Sequence, residues 1–220
     1  TAGFKSIGGK TYYIKSDGSK QKGWLTLGKY KYYFNKTTGV QVKGWLSVSG
    51  KKTYYFTSKK GAMVTGWMTD SKKHKRYFNP KTGKLTRGWM KNSKGQKWYF
   101  RPSDGVMYRG LKKIGSYYYY FDGSTGATKS GFLTAANGNV RYFRGKTYIM
   151  ATGWLKNSKG GRYYFAKNTG VMYKGFKVVD GKKYYFSPKT GLVSTGWISV
   201  DGKKYYIDPS TTTIITGTKL

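Results

Sequence analysis

The sequence predicts an all-β chain, a β-solenoid of about ten stacked β-hairpins. Three observations carry that expectation. A Gly followed by a bulky residue recurs every 20 to 22 residues, from Gly3-Phe4 to Gly196-Trp197. A Tyr-Tyr-Phe-like triplet follows it in every repeat, with Tyr always the middle letter. Turn-forming residues stand both between the two signals and after the second. Repeats therefore start near 3, 23, 44, 66, 88, 110, 131, 153, 175 and 196, within a single repeat domain 1–220 whose last residues, 217–220, form a stub.

Each repeat divides into the same elements. The first strand begins at the Gly-bulky pair. In the shorter repeats a two-residue turn follows. Val179-Asp180-Gly181-Lys182 and Val200-Asp201-Gly202-Lys203 place Asp-Gly at the centre of a type I′ turn. Ile7-Gly8-Gly9-Lys10 and Ile114-Gly115-Ser116-Tyr117 do the same with other residues. The 22-residue repeats insert one more residue here, as in Ser49-Gly50-Lys51, and need a wider loop. The triplet forms the second strand, and a second turn ends in Gly, as in Asn35-Lys36-Thr37-Thr38-Gly39. Repeats 7 and 10 carry Tyr148 and Thr212 in place of that Gly, so altered geometry is expected there.

Strand alternation sorts the side chains. A two-residue turn at Asp201-Gly202 pairs Trp197 with Tyr206 and Ser199 with Lys204, on the face opposite Ile198, Val200, Tyr205 and Ile207. Repeat 2 splits alike. Leu25, Leu27, Tyr32 and Phe34 fall on an apolar core face, and Trp24, Thr26, Lys31 and Tyr33 on the other. One hairpin is not stable alone, but hairpins stacked in series bury a continuous core.

Composition narrows the function. The chain has 43 Lys+Arg and 7 acids, all Asp, for a net charge of +36. Such self-repulsion implies a polyanionic partner or surface. Aromatics at 19% exclude plain disorder. With no Cys, a disulfide scaffold, a thiolate metal site and a Cys nucleophile are excluded. No apolar run is long enough for a membrane span. The repeat pattern is under way by Gly3-Phe4, so the chain reads as a module of a longer exported protein. The single His74 lies in a basic loop. Five Asp (Asp17, Asp104, Asp122, Asp180, Asp201) precede Gly as turn formers, while Asp70 and Asp208 stand alone. No cluster suggests acid–base chemistry, a metal or any other cofactor, so no enzyme is expected.

The pattern of Gly-Trp, a turn Gly, Tyr-Tyr-Phe and Thr-Gly over ~21 residues resembles the cell-wall-binding repeat superfamily. That group includes choline-binding repeats of Gram-positive surface proteins, glucan-binding repeats of glucansucrases and the glycan-binding regions of large clostridial toxins. The resemblance covers residues 3–217. It implies a hairpin solenoid, ligand sites between successive repeats, no catalysis and a secreted, cell-surface location. In the choline-type repeat a Trp precedes the tyrosine pair and forms a cage with the Gly-Trp residue. The corresponding residues here include Lys31, Lys75, Lys97, Arg162, Lys183 and Lys204, and none of the ten is Trp. A quaternary ammonium favours an aromatic cage with no cation beside it, so these residues favour an anionic ligand. The Lys-Tyr-Tyr-Phe form is closer to the glucan and toxin-type repeats.

Three binding functions follow. The first is a non-catalytic anchor holding a larger secreted protein, an adhesin or wall hydrolase, on teichoic or lipoteichoic acid. The second is a module for neutral α-glucan or host glycans. The third is binding to single-stranded nucleic acid, which such a cation is expected to bind at least incidentally. The candidate aromatic ligand residues are Trp24, Trp45, Trp67, Trp89, Trp154 and Trp197, with Tyr33, Tyr55, Tyr99, Tyr164 and Tyr206. Lys31, Lys75, Lys97, Arg162, Lys183 and Lys204 are the basic ones. The same tryptophans could instead pack hairpin on hairpin, and the tyrosines could pack with hydroxyls at the rim. Leu111, Phe132 and Phe176 replace Trp in repeats 6, 7 and 9, where weaker sites are expected.

Overall fold

The computed structural model describes residues 1–48 and 52–215. The wider turn expected at Ser49-Gly50-Lys51 and the terminal stub with Gly217 lie outside these residues. The described chain is all β, with ten antiparallel hairpins, the first pairing Gly3–Ile7 with Lys10–Ile14 and the last pairing Gly196–Val200 with Lys203–Ile207. A short strand, Thr128–Lys129, extends the sixth hairpin. The hairpins group into two compact units, Thr1–Tyr108 with hairpins 1–5 and Arg109–Leu220 with hairpins 6–10.

The register follows the turn chemistry. Trp197 pairs with Tyr206 and Ser199 with Lys204, while Trp24 pairs with Tyr33 and Thr26 with Lys31. Asp180-Gly181 and Asp201-Gly202 have positive φ at both positions, as a type I′ turn requires. Hairpins 2 and 6 have positive φ only at the first central residue, Gly28 and Gly115, which is the II′ form. Hairpins 4, 5, 7 and 8, all in longer repeats, close as a three-residue loop ending in a left-handed residue. In hairpin 5, Asn92 N–H donates to the Gln96 carbonyl at 3.0 Å, with Gly95 at φ 82°. Hairpin 4 uses Lys73 for that role, at φ 62°.

From the second repeat onward, the core runs through the last residue of the triplet. Phe34, Phe56, Phe78 and Phe100 in the first unit, and Phe121, Phe143, Phe165, Phe186 and Ile207 in the second, are fully buried. Each such Phe contributes about 1.5–3 kcal/mol by leaving water. Within each unit, successive hairpins form separate small sheets, and backbone bonds tie them together. The residue two past the turn Gly donates its N–H to the carbonyl of the residue before the preceding repeat's triplet. Examples are Met63 to Lys31 at 2.8 Å, Leu85 to Thr53 at 2.8 Å, Met172 to Val140 at 2.8 Å and Val193 to Arg162 at 2.9 Å.

The turn Gly has two reasons to be Gly. It sits at left-handed φ, and a Cβ on it would run into the preceding repeat. On Gly83 it would lie 2.4 Å from Met63 Cε, and on Gly170 2.5 Å from Met150 Cε. Repeats 7 and 10 nevertheless keep the same turn, against the expectation of altered geometry. Tyr148 and Thr212 take φ 62° and 58°. Their N–H groups donate to the Arg144 and Asp208 carbonyls at 2.7 and 2.6 Å, as Gly39 does to Asn35 at 2.8 Å. By the repeat's register, the residues meeting these turns from the preceding repeat are Thr128 and Val193, smaller than Met or Leu. Space is therefore left for a side chain, and the left-handed backbone costs about 1–2 kcal/mol.

Candidate functional site

The Gly-bulky pair positions the candidate ligand-binding side chain. Gly23, Gly153 and Gly196 hold φ near +70° to +75° with no atom near a built Cβ, so they are required for backbone shape alone. The next residue then projects from the hairpin face opposite the core. Trp24 meets its own strand partner Tyr33 edge-on at 5.0 Å, and Tyr54 of hairpin 3 also at 5.0 Å. Trp154 repeats this with Tyr164 and Tyr184, both at 5.0 Å, and Phe132 with Tyr142 at 4.8 Å and Tyr163 at 5.3 Å. Each such ring is a wedge between consecutive hairpins, and most remain open to solvent. Trp24, Trp45, Trp67, Trp89 and Trp197 are 43–52% exposed. Packing and ligand contact, set as alternatives by the sequence, are compatible in one side chain. The tyrosines divide. Tyr33 and Tyr164 are buried, and Tyr55, Tyr99 and Tyr206 are half-buried.

The basic residues before the triplets lie on this same face, with differing contacts. The Arg162 guanidinium lies 4.9 Å from the Trp154 ring centroid, and Lys183 Nζ 5.0 Å from that of Phe176. Lys97 is half-buried. Lys31 and Lys204 are exposed and Lys75 half-buried, and among the described residues none of these three stacks on the ring of its own hairpin. Lys204, Trp197, Ile198 and Ser199 line an open cleft of about 440 Å³.

A second kind of cleft, of about 390 Å³, was not foreseen. Its wall includes Trp45, Tyr55, Asp70, His74 and Arg76. The Arg76 guanidinium lies 5.2 Å over Trp45 and donates from Nη1 to Asp70 Oδ2 at 2.6 Å and from Nε to the Asp104 carbonyl at 3.1 Å. His74 Nδ1 is 3.3 Å from the same Asp70 oxygen. The hydrogen bond from Arg76 holds Asp70 at about 2, below its ordinary 3.8, with the His74 N–H and nearby positive charge adding to it. Asp70, read from sequence as standing alone, is thus held by a guanidinium. The available signal was the wide loop between them, which folds Asp70 back beside Arg76. Asp122 is likewise held well below the usual carboxylate range by Lys129 at 2.8 Å and by turn N–H groups. Among the described residues no group of His and Asp could hold a metal ion.

Residues 23–66 and 42–88 match the choline-binding repeat, and residues 2–20, 152–172 and 195–210 match a putative cell wall binding repeat. The chain belongs to the choline-binding and cell-wall-binding repeat family. Its fold is that of CbpJ from Streptococcus pneumoniae TIGR4, at 22% identity, TM-score 0.64, over 100% of this chain and 96% of that one. Choline binding protein F of Streptococcus pneumoniae aligns at 22% identity, TM-score 0.63, over 100% and 94%. The choline-binding domain of CbpL, also from Streptococcus pneumoniae, aligns at 23% identity, TM-score 0.59, over 91% and 100%. No curated protein sequence matches the chain. The family's hairpin solenoid is therefore the architecture here. Its choline cage is not reproduced residue for residue, because no Trp stands before any tyrosine pair.

Proposed function

We propose that the chain is a non-catalytic, cationic wall-binding module that anchors a larger secreted protein to an anionic wall polymer such as teichoic or lipoteichoic acid. One observation carries the reading. On the face opposite the core, exposed aromatic rings recur beside basic residues at the repeat spacing, as at Trp24/Lys31 and Trp197/Lys204. A polymer of alternating phosphate and polyol units can meet cations and ring faces in turn. Each contact is weak, and the series adds through effective concentration. Displacement of counterions makes such binding steeply salt-dependent, as it is for nucleic-acid polyanions.

The test is sedimentation of the chain with Gram-positive walls, native and teichoic-acid-extracted, across a salt series. Binding is expected to fall on extraction and to fall steeply as salt rises. Equal retention on both walls refutes the proposal. The cleft at Trp45 favours a second reading, a neutral glycan, because Asp70 there neutralises Arg76 beside an exposed indole. That reading requires retention on an α-glucan matrix that survives high salt and is lost in Trp45→Ala.

A further inference from the structure

Repeats 4 and 7 place an arginine where every other repeat begins its triplet with an aromatic residue. Arg76 pairs with Met68 and Arg141 with Leu133, at the same register. Each donates from Nε to the carbonyl of the residue before a turn Gly, Asp104 at 3.1 Å and Thr169 at 2.9 Å. The two guanidinium groups are set in the same way and differ in what surrounds them. Arg76 has the Trp45 ring at 5.2 Å and donates from Nη1 to Asp70 Oδ2 at 2.6 Å. Around Arg141 both companions are replaced. Ala135 stands at the repeat position of Asp70, four residues past the repeat Gly, and Leu111 at that of Trp45. Arg76 is buried and Arg141 only half-buried. Among the described residues, Nη1 and Nη2 of Arg141 have no hydrogen-bond or ion-pair partner, and neither is sealed from solvent. Leu111, Ala135 and Arg141 line a cleft of about 450 Å³ with Tyr120, Phe132 and Lys129.

We infer that the Arg141 cleft is a binding site for an aromatic carboxylate, a ligand that brings in one molecule the acid and the flat ring that Asp70 and Trp45 supply to Arg76. A guanidinium holds two carboxylate oxygens through parallel N–H donors, and its flat face accepts a ring. Nε of Arg141 is committed to Thr169, so the fork that remains is the Nη pair. Leu111, Tyr120 and Phe132 offer the ligand's ring apolar and aromatic surface. Lys129 also reaches the cleft, but its Nζ holds Asp122 Oδ2 at 2.8 Å. The positive charge there without an acid partner among the described residues is that of Arg141. The sister site in repeat 4 shows the complement: the same arginine, set by the same backbone bond, is satisfied by the chain's own carboxylate beside the chain's own indole.

The test titrates the full chain with indole-3-acetate, and with indole-3-acetamide as the uncharged control, by NMR and calorimetry. The acid should bind about tenfold or more tighter than the amide, with its shifts centred on Leu111, Tyr120 and Arg141. A chain of net charge +36 draws any anion weakly, so the deciding variants change that field equally. Ala135→Asp restores the internal carboxylate of repeat 4 and should lose about tenfold or more in affinity for the acid. Thr37→Asp makes the same charge change at an exposed turn of the first unit and should lose less than about twofold. Ala135 is an exposed loop residue, so its change is read on a folded chain. Arg141→Gln should lose as much as Ala135→Asp, and Leu111→Trp should refill the place of the ring and bring indole-3-acetate down to the affinity of plain acetate. Equal losses in Ala135→Asp and Thr37→Asp, or acid bound no tighter than amide, overturn the proposal. Wall polymer is absent from the assay, so that failure leaves the anchoring reading untouched.

Discussion

Gly83→Ala tests how consecutive hairpins are held together. The new Cβ meets two obstacles. The backbone is at φ +69°, where an L side chain costs about 1–2 kcal/mol, partly offset by about 0.4–1 kcal/mol lost from the unfolded chain's freedom. The Cβ would also lie 2.4 Å from both Cε and Sδ of Met63 in the preceding repeat, and forcing that side chain aside costs about 1–3 kcal/mol. Gly88 supplies the control, with φ +73° and nothing within 4 Å of a Cβ. Gly88→Ala should cost about 1 kcal/mol and Gly83→Ala about 2–4 kcal/mol, read from urea unfolding of the full chain by circular dichroism. Shortening the obstacle should repair the difference. Met63→Ala combined with Gly83→Ala should fall short of additivity by about 1–2 kcal/mol. Equal costs for the two glycines, or an additive double variant, refute the steric argument. Tyr148, tolerated where Thr128 stands at the facing position, would then need another explanation.

The carboxylates predict an acid limit. Asp70 is held at about 2, and Asp17, Asp104, Asp122 and Asp208 are lowered too, so each prefers its charged form in the fold. Their contribution is full above the ordinary value near 3.8 and lost as pH falls through the folded value, so the urea midpoint should stay flat from about pH 7 to 5 and drop between about 4 and 2. Asp70→Asn should start lower at neutral pH and converge with the parent near pH 2, and parallel curves would show that Asp70 has no part in the acid limit. Lys73 occupies the left-handed position taken by Gly95, Gly138 and Gly160 in sister loops, so Lys73→Gly should raise stability by about 0.5–1 kcal/mol in the same urea assay. Adding salt should stabilise the free chain against urea by screening its self-repulsion, while the same salt releases it from walls.

Much of the hairpin was legible because its causes are local. Asp201-Gly202 dictates the turn, the turn dictates that Trp197 faces Tyr206, and a period of two then assigns every side chain a face. What the sequence does not carry is the rotation from one hairpin to the next. A period of two says that Trp24 leaves the core of its own sheet. It does not say that the ring lands on Tyr54 of the next, and this is why packing and binding first looked like competing roles. Strain was misjudged for a related reason. Tyr148 and Thr212 break the glycine rule in one repeat, but their tolerance is set by what the preceding repeat presents. At the site, the positions were legible and their states were not. Arg162, Lys183 and Lys204 occupy one repeat position, yet only the first two lie on a ring, because a long side chain settles where its neighbours hold it.

Most of the positive charge is not used by the fold. Among the described residues the ion pairs use Asp70, Asp104, Asp122 and Asp180, and Asp17 and Asp208 are spent on turn N–H groups. Seven acids cannot neutralise 43 cations, so most of the positive charge has no partner inside the chain. Nor does the core need it, since its rings and backbone bonds would form around neutral residues at the same positions. Folding on its own therefore bears a cost of repulsion that a bound polyanion removes. A ligand that prefers the folded array to the unfolded chain stabilises the fold by its differential affinity. The unfolded chain carries the same charge, so that preference cannot come from net charge. It has to come from what only folding creates, the alternation of exposed ring and cation along the hairpin faces.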